Sequence, residues 1–172
     1  MTTTTLTRKT AVEPRTIETP IGTLALEGTD DALTRVLLPG SFAPGAGAPA
    51  DDRSAGAPSA VAAAAHQLAE YFAGQRTEFD LPLSLQGTPF QRDVWGALAE
   101  IPYGHTIAYA ELAEMVGRPR AYRAVGQANG ANPIPIILPC HRVLASGGGL
   151  GGYGGGLETK HALLALEGVL AC

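Results

Sequence analysis

The stretch Pro139-Cys140-His141-Arg142-Val143 follows an apolar run, Ile134-Pro135-Ile136-Ile137-Leu138, and precedes a glycine-dense segment at 147–156. It places a thiol, an imidazole and a guanidinium side by side where a buried segment ends and a loop begins. The thiolate is the reactive form of cysteine, and cationic neighbours lower the pKa of a thiol. Cys140 is therefore a candidate nucleophile. The alternative is a small buried hydrophobe, but His141 and Arg142 argue against it because ionisable groups are costly to bury without partners.

The whole chain is long enough for one domain or two small ones with a real core, at 172 residues. It has no apolar run near membrane-spanning length. Its threonine-rich start lacks the apolar stretch of a signal peptide, so we expect a cytoplasmic protein. The two cysteines, Cys140 and Cys172, can build neither a disulfide framework nor a four-thiolate zinc site. We expect no metal and no cofactor.

The distribution of charge matters more than the net charge of −4. No acidic residue lies between Glu114 and Glu158, whereas four arginines do: Arg118, Arg120, Arg123 and Arg142. Local charge decides where a phosphate backbone docks. The alternative is an ordinary solvated arginine face, and charge alone does not decide between the two.

Three segments of the first half are strand candidates. Residues 16–28 alternate loosely around a turn signal, Pro20-Ile21-Gly22, and residues 32–38 are rich in branched apolar side chains. Together they predict antiparallel strands. A further short strand is predicted at 79–85.

A helix is predicted at 59–73, where Ser59 can cap it and an apolar stripe follows: Leu68, Tyr71 and Phe72. The Gly-, Ala- and Pro-rich residues 39–58 predict a flexible connection before it. No motif here carries chemistry, so residues 1–86 are interpreted as a supporting domain.

The composition changes at Gln86-Gly87, and residues 87–172 form the second predicted domain. Thr88 can cap a helix that extends to residue 99. The predicted fold class is therefore α+β, with a small antiparallel sheet and a helix in the first domain and a mainly helical second domain that carries Cys140.

Two adjacent helices are predicted at 109–116 and 119–129, with Gly117 ending the first and Pro119 opening the second. Arg120 and Arg123 lie on the polar side of the second helix. This pattern is typical of a helix-turn-helix. Two packed helices with solvated arginines remain the alternative.

The last predicted helix, at 158–167, has Leu163, Leu164 and Glu167 on one face. A carboxylate among apolar neighbours needs a partner, and His141 is the candidate. The alternative is a helix-end glutamate that reaches solvent. Upstream, Asn132-Pro133 breaks the preceding helix just before the reactive stretch.

The segment 149–154 formally reads G-x-G-x-x-G. That motif binds dinucleotides only where a strand precedes it and a helix opens directly on it. Here the glycines continue to Gly156, so we interpret the segment as a mobile flap over a pocket, with Tyr153 as its packing surface.

Pro139-Cys140-His141-Arg142-Val143, with Asn132-Pro133 before it and Tyr153 and Leu163-Leu164-Ala165-Leu166-Glu167-Gly168 after it, resembles the active-site signature of the methylated-DNA–protein-cysteine methyltransferases. Two further stretches are similar to that family: Gly87-Thr88-Pro89-Phe90-Gln91 and Ile101-Pro102-Tyr103-Gly104. The resemblance is dense over the second half. It covers the first half only by layout, where it implies a ribonuclease-H-like domain.

The resemblance implies direct-reversal DNA repair. The alkyl group of O6-alkylguanine, and of O4-alkylthymine, passes irreversibly and stoichiometrically to Cys140. Glu167 orients His141, and His141 takes the thiol proton through a turn or a water. Asn132 is the hinge between the recognition helix and the active site.

The resemblance also implies base flipping from the minor groove. The partner is double-stranded DNA that contains O6-alkylguanine, the protein is a monomer that can cluster on DNA, and no membrane is involved. Arg123 fills the gap, Tyr109 strains the adjacent phosphate, and Tyr153 packs against the flipped base. The other implied contacts are the backbone of Cys140 and Val143, Lys160 near the pocket, Arg120, and the N–H of Gly154, where some members have serine.

Three rival functions follow from the same features. A lesion binder that does not react lacks the cysteine, which is present here. A DNA-damage regulator with a zinc-bearing domain needs more thiolates than this chain has. A Cys-His-Glu thiol hydrolase would turn over without a permanent adduct, but it leaves the arginine-bearing helix pair without a role.

Overall fold

The computed structural model describes residues 14–42, 48–49 and 59–170. In the first half, strands β1 (Arg15–Thr19), β2 (Gly22–Gly28) and β3 (Leu33–Leu37) form an antiparallel meander. Strand β4 (Ala48–Pro49) pairs in parallel with β1, so that the order across the sheet is β3-β2-β1-β4. Gly22 opens β2 at φ 112°, which permits the tight turn after β1. Helix α1 (Ser59–Phe72) covers the sheet.

One prediction for this half is wrong, and another falls largely outside the described residues. Residues 79–85 do not form a strand, since only Leu83 makes an isolated bridge, to Leu33. Pro82 has no N–H to donate to a ladder; its carbonyl accepts from Leu33 N (2.9 Å). The predicted flexible connection 39–58 contains β4, and its residues 43–47 and 50–58 lie outside the described residues, as do residues 1–13 and Cys172.

The second half is mainly helical, as predicted. Its helices are α2 (Pro89–Leu98), α3 (Tyr109–Met115), α4 (Tyr122–Gly130) and α5 (Leu157–Leu166). Thr88 caps α2 by a capping box, in which the Thr88 hydroxyl accepts from Gln91 N and the Gln91 side chain accepts from Thr88 N. Two short strands, β5 (Ile107–Ala108) and β6 (Val143–Leu144), pair in parallel. The sequence did not predict this pair.

Helices α3 and α4 form the predicted helix-turn-helix, but α4 begins later than expected. Ala121 N donates to Arg118 O (2.8 Å), which closes a turn with Pro119 at its second position. Proline is favoured at that position of a turn. Pro119 therefore lies within the connection instead of opening the helix, and Arg120 lies before α4 and not on its polar face.

One apolar cluster joins the two halves. It contains Leu24 and Leu26 of β2, Leu68 of α1, Trp95 of α2 and Leu163 of α5. A backbone hydrogen bond from Val36 N to Pro133 O (3.0 Å) ties β3 to the segment that leads to Cys140. In the parts of the chain that the structure describes, no helix combines the length and apolarity needed to cross a membrane.

Candidate active site

Asn132 organises the chain reversal before Cys140. Its Nδ2 donates to Leu138 O (2.7 Å), and its Oδ1 accepts from Ile134 N (2.9 Å). The buried turn between these two residues carries Ile136 at φ 74°, a conformation that a β-branched residue adopts only under strain. The chain then enters a 3-10 turn, Cys140–Arg142, which holds Cys140, His141 and Arg142 in one buried turn.

Cys140 is a buried thiol, 6% exposed. Burial raises the pKa of Cys140, while a hydrogen bond from Asn132 and the charge of Lys160 oppose the rise without cancelling it. The cationic neighbour expected from sequence, Arg142, is engaged elsewhere. Cys140 therefore rests as a thiol and needs a base before it can attack.

His141 and Glu167 lie together in the interior, with His141 Nε2 2.7 Å from Glu167 Oε1. An ionised carboxylate only accepts, so Nε2 must carry the proton and Nδ1 is left with a lone pair. Among the described residues, Nδ1 has no hydrogen-bond partner. Burial lowers the pKa of His141 although Glu167 opposes this, which keeps the imidazole neutral and able to accept a proton.

Glu167 has more partners than the sequence indicated. Arg142 grips it with two hydrogen bonds, Nε to Oε2 (2.8 Å) and Nη2 to Oε1 (2.9 Å), and Tyr71 Oη donates to Oε1 (2.7 Å). Burial alone would raise the pKa of Glu167, but the hydrogen bonds from His141 and Arg142 outweigh it and hold the pKa at about 2. Sequence reasoning missed both partners. Arg142 could have been found from the sequence, because it directly follows His141 and a guanidinium can pair with a buried carboxylate. Tyr71 was interpreted as part of an apolar stripe.

A cavity of about 200 Å³ opens onto Cys140. This is below the ~300–1,000 Å³ of sites for drug-sized ligands and suits a single planar group. Its wall includes four predicted residues besides Cys140 (Tyr109, Asn132, Tyr153 and Gly154) and several that were not predicted, among them Leu38 of the first half and Asn129. The Tyr153 hydroxyl is buried beside the thiol, and burial, reinforced by Cys140, raises the pKa of Tyr153.

Lys160 holds the glycine segment in place. Its fully buried ammonium donates to the carbonyl oxygens of Val143 (2.7 Å), Leu150 and Gly152 (3.4 Å). Burial lowers the pKa of Lys160, and Cys140 opposes that effect. The lysine thus connects β6, which follows the reactive turn, to the loop that forms one wall of the cavity.

A second, more open cavity of about 460 Å³ lies against α4. It is lined by Arg123, Tyr122, Ala110, Ala145 and Ser146, and it shares Tyr109 and Gly126 with the cavity at Cys140. Arg123 is exposed, with its guanidinium carbon 6.0 Å from the centre of the Tyr122 ring. Arg120 is also exposed but lines neither cavity.

A larger cavity of about 660 Å³ lies on the other side of Arg142, between residues 77–83 and 99–103. It does not contact Cys140, and none of the predicted site residues lines it. Volume is therefore a poor guide in this protein, and the cavity that reaches the thiol is the candidate active site.

Two family models match the chain. The 6-O-methylguanine DNA methyltransferase ribonuclease-like domain matches residues 14–85, and the DNA binding domain of the same name matches residues 89–169. A methylated-DNA–protein-cysteine methyltransferase of Mycolicibacterium paratuberculosis is 50% identical over 157 residues, which is 91% of this chain and 92% of that protein. The chain belongs to this methyltransferase family. It is a transferase that acts in DNA repair by alkyl transfer.

Other relatives of this methyltransferase agree. The constitutive methylated-DNA–protein-cysteine methyltransferase of Bacillus subtilis is 45% identical over 153 residues, or 88% of this chain and 93% of that protein. The crystal structure of Mycobacterium tuberculosis OGT in complex with DNA superposes with a TM-score of 0.79 at 50% identity, covering 91% of this chain and 92% of that one. These matches confirm the family resemblance and the α+β fold predicted from the sequence.

Proposed function

We propose that this methyltransferase removes the alkyl group of O6-alkylguanine, and also of O4-alkylthymine, from double-stranded DNA by transferring it to Sγ of Cys140. A carbon–sulfur bond forms and the bond between the alkyl carbon and O6 breaks. The electron pair of that bond stays on O6, and the proton lost by the thiol ends on the repaired guanine, which remains in the DNA. For O4-alkylthymine the same changes take place at O4. The thioether product is stable, so one protein repairs one lesion.

The observation that carries this proposal is a buried thiol at the wall of a cavity of about 200 Å³, on the same 3-10 turn as a histidine whose Nδ1 is unpartnered among the described residues. Glu167 fixes the tautomer of His141 in which Nδ1 is the basic atom. Because no direct hydrogen bond joins Nδ1 to Sγ among the described contacts, a bridging water completes the proton path in this proposal.

The proposal includes flipping of the damaged base from the minor groove. The reacting atom lies inside the base stack of a duplex, and extruding a base costs a few kcal/mol. The cavity at Cys140 and the one against α4 share Tyr109 and Gly126. A base entering the first cavity would therefore leave the duplex directly beside Arg123, which takes its place in the stack.

The remaining predicted residues have roles that fit their positions. Tyr109 lies between the two cavities, where it contacts both the base and the adjacent phosphate. Tyr153 and the backbone of Gly154 face the base, the backbone of Cys140 and Val143 reads its edge, and Arg120 contacts phosphate. Lys160 supports the loop and stabilises the developing thiolate.

The test is the intact mass of the protein after mixing with duplex DNA that carries O6-methylguanine, followed by peptide mapping. We expect one added methyl group on Cys140. It should be absent in Cys140→Ser and present in Cys172→Ser, the matched control for the other cysteine.

The rival functions predict different outcomes. A lesion binder would retain the modified DNA without gaining mass. A thiol hydrolase would consume substrate repeatedly and leave no lasting adduct. An unmodified wild-type protein that still bound the lesion would overturn the proposed transfer.

A further inference from the structure

Tyr71 connects the first half of the chain to the proton relay. It lies on α1, is fully buried, and donates its hydroxyl to Glu167 Oε1 at 2.7 Å across 96 residues of sequence. The same oxygen faces His141 Nε2 at 2.7 Å and accepts from Arg142 Nη2 at 2.9 Å. Three donors thus share one carboxylate oxygen.

We propose that Tyr71 is a positioning residue for alkyl transfer: its hydroxyl fixes Glu167 and limits how strongly that carboxylate attracts the proton of His141. This inference rests on the proposed function. It gives the first half of the chain a part in the chemistry of Cys140, beyond support of the fold.

The ring of Tyr71 is held so that its hydroxyl has one direction. Three aromatic neighbours surround it, with ring centroids 5.2 Å (Phe72), 5.5 Å (Phe79) and 6.1 Å (Tyr103) away. Burial raises the pKa of Tyr71 far above its ordinary value, so the phenol stays protonated and always donates. A donor that is always present draws part of the negative charge of Glu167 away from His141.

Removal of this donor should raise the pKa of His141. With one hydrogen bond fewer, Glu167 interacts more strongly with His141, and the imidazolium becomes easier to form. The other groups around the pair stay in place: Arg142 of the reactive turn, Lys160 of α5, and Tyr103 with Gly104 N on the segment after α2. The acid limb of the rate of transfer should therefore move to higher pH, because His141 must be neutral to take the thiol proton.

The experiment compares Tyr71→Phe with wild type in single-turnover methyl transfer from duplex DNA between pH 5 and 8. We expect the midpoint of the acid limb to move to higher pH by at least about half a unit in Tyr71→Phe. The imidazole of His141 should titrate at a pH higher by the same amount in NMR spectra. Tyr103→Phe is the matched control. It removes a hydroxyl that donates to Leu166 O (3.1 Å), beside the same carboxylate but without contacting it.

Three further results decide the matter. In a Glu167→Gln background, Tyr71→Phe should add no shift, because Tyr71 acts through Glu167. If Tyr71→Phe folds too poorly, 3-fluorotyrosine at position 71, a more acidic phenol of similar size, should move the limb to lower pH. The inference is overturned if the acid limb of Tyr71→Phe equals that of wild type, or if Tyr103→Phe moves the limb equally. A wild type that gains no methyl group refutes the proposed function instead.

Discussion

Cys140, the proposed nucleophile, is a buried thiol whose pKa is raised by burial. The positive charge of Lys160 favours the thiolate, and the Lys160 ammonium is bound to the carbonyl oxygens of Val143, Leu150 and Gly152. In the proposed mechanism this arrangement separates two tasks. His141 removes the proton of the thiol, and Lys160 stabilises the thiolate that remains.

Lys160→Met should therefore impair both the thiol and the stability of the fold. We expect the reaction of Cys140 with iodoacetamide, measured against pH in a Cys172→Ser background, to move to higher pH, because a charge that lowers the pKa of Cys140 is lost. The unfolding free energy should fall by about 1–3 kcal/mol per carbonyl left unpaired. Lys160→Arg, which keeps the charge, should retain most of the thiol reactivity. Equal pH dependence in Lys160→Met and wild type would remove Lys160 from the mechanism.

Gly154 tests how closely the cavity fits the alkyl group. A Cβ atom added there would meet nothing within 4 Å, so Gly154→Ser should fold normally. We expect the ratio of benzyl to methyl transfer from O6-alkylguanine in DNA to fall, since the loop stiffens and the cavity shrinks. Gly149→Ser makes the same change in the same loop, away from the cavity, and should leave the ratio unaltered. If Gly154→Ser changes neither the rate nor the ratio, glycine at this position has no influence on alkyl preference.

Among the elements, α4 separates two arginines that the sequence analysis grouped together. Arg123 lies on the helix and lines the cavity that adjoins the active site, whereas Arg120 lies in the preceding turn and lines neither cavity. Arg123→Ala should slow methyl transfer from duplex DNA by about 10- to 100-fold, equivalent to 1–3 kcal/mol of base-flipping free energy. Transfer from the free base O6-methylguanine should stay unchanged. Arg120→Ala should only weaken DNA binding and reduce its salt dependence by about one ion.

Two results would contradict the prediction for Arg123. Equal losses in both variants on duplex DNA, or a loss with the free base in Arg123→Ala, would mean that the exposed guanidinium has no specific part in flipping.

The helices could be predicted from the sequence because their ends carry local signals. Thr88 with Gln91 fixes the start of α2, and Gly117 at φ 70° ends α3. The pair β5 and β6 could not be predicted, since strands of two residues have no periodicity and their pairing is set by the tertiary fold. The strand predicted at 79–85 was wrong because the apolar alternation there reflects packing beside β3 without a ladder.

The residues of the candidate site also include some that the sequence reveals and one that it does not. Cys140, His141 and Glu167 could be predicted because their neighbours in sequence form a family signature, and the structure pairs His141 with Glu167. Tyr71 was not, because a tyrosine in an apolar helical stripe looks like a core residue, and only the tertiary fold shows where its hydroxyl points.

At the scale of the whole molecule, the two predicted domains share one core. Leu24 of β2 and Trp95 of α2 belong to the same apolar cluster. Leu24→Ala should therefore lower the free energy of unfolding by about 2–5 kcal/mol for the entire chain. In urea, the fluorescence of Trp95, the only tryptophan, and the far-UV circular dichroism should shift together. A Trp95 transition that stays at its wild-type midpoint would show that residues 1–86 and 87–172 unfold independently.

The relay also makes the whole molecule sensitive to acid. His141 and Glu167 both have folded-state pKa values below their ordinary ones, at about 2 for Glu167, so the unfolded chain binds more protons than the native one. Stability should fall as the pH drops through about 6.5 and again from about 4.5 towards 2, where loss of the Glu167 contribution alone costs about 3 kcal/mol. Urea midpoints at pH 7, 5 and 3 measure this. Glu167→Gln should start less stable by about 3–5 kcal/mol, because Arg142 is left buried without its carboxylate, and should lose less between pH 5 and 3. An equal loss in both proteins would place the acid-sensitive carboxylates elsewhere.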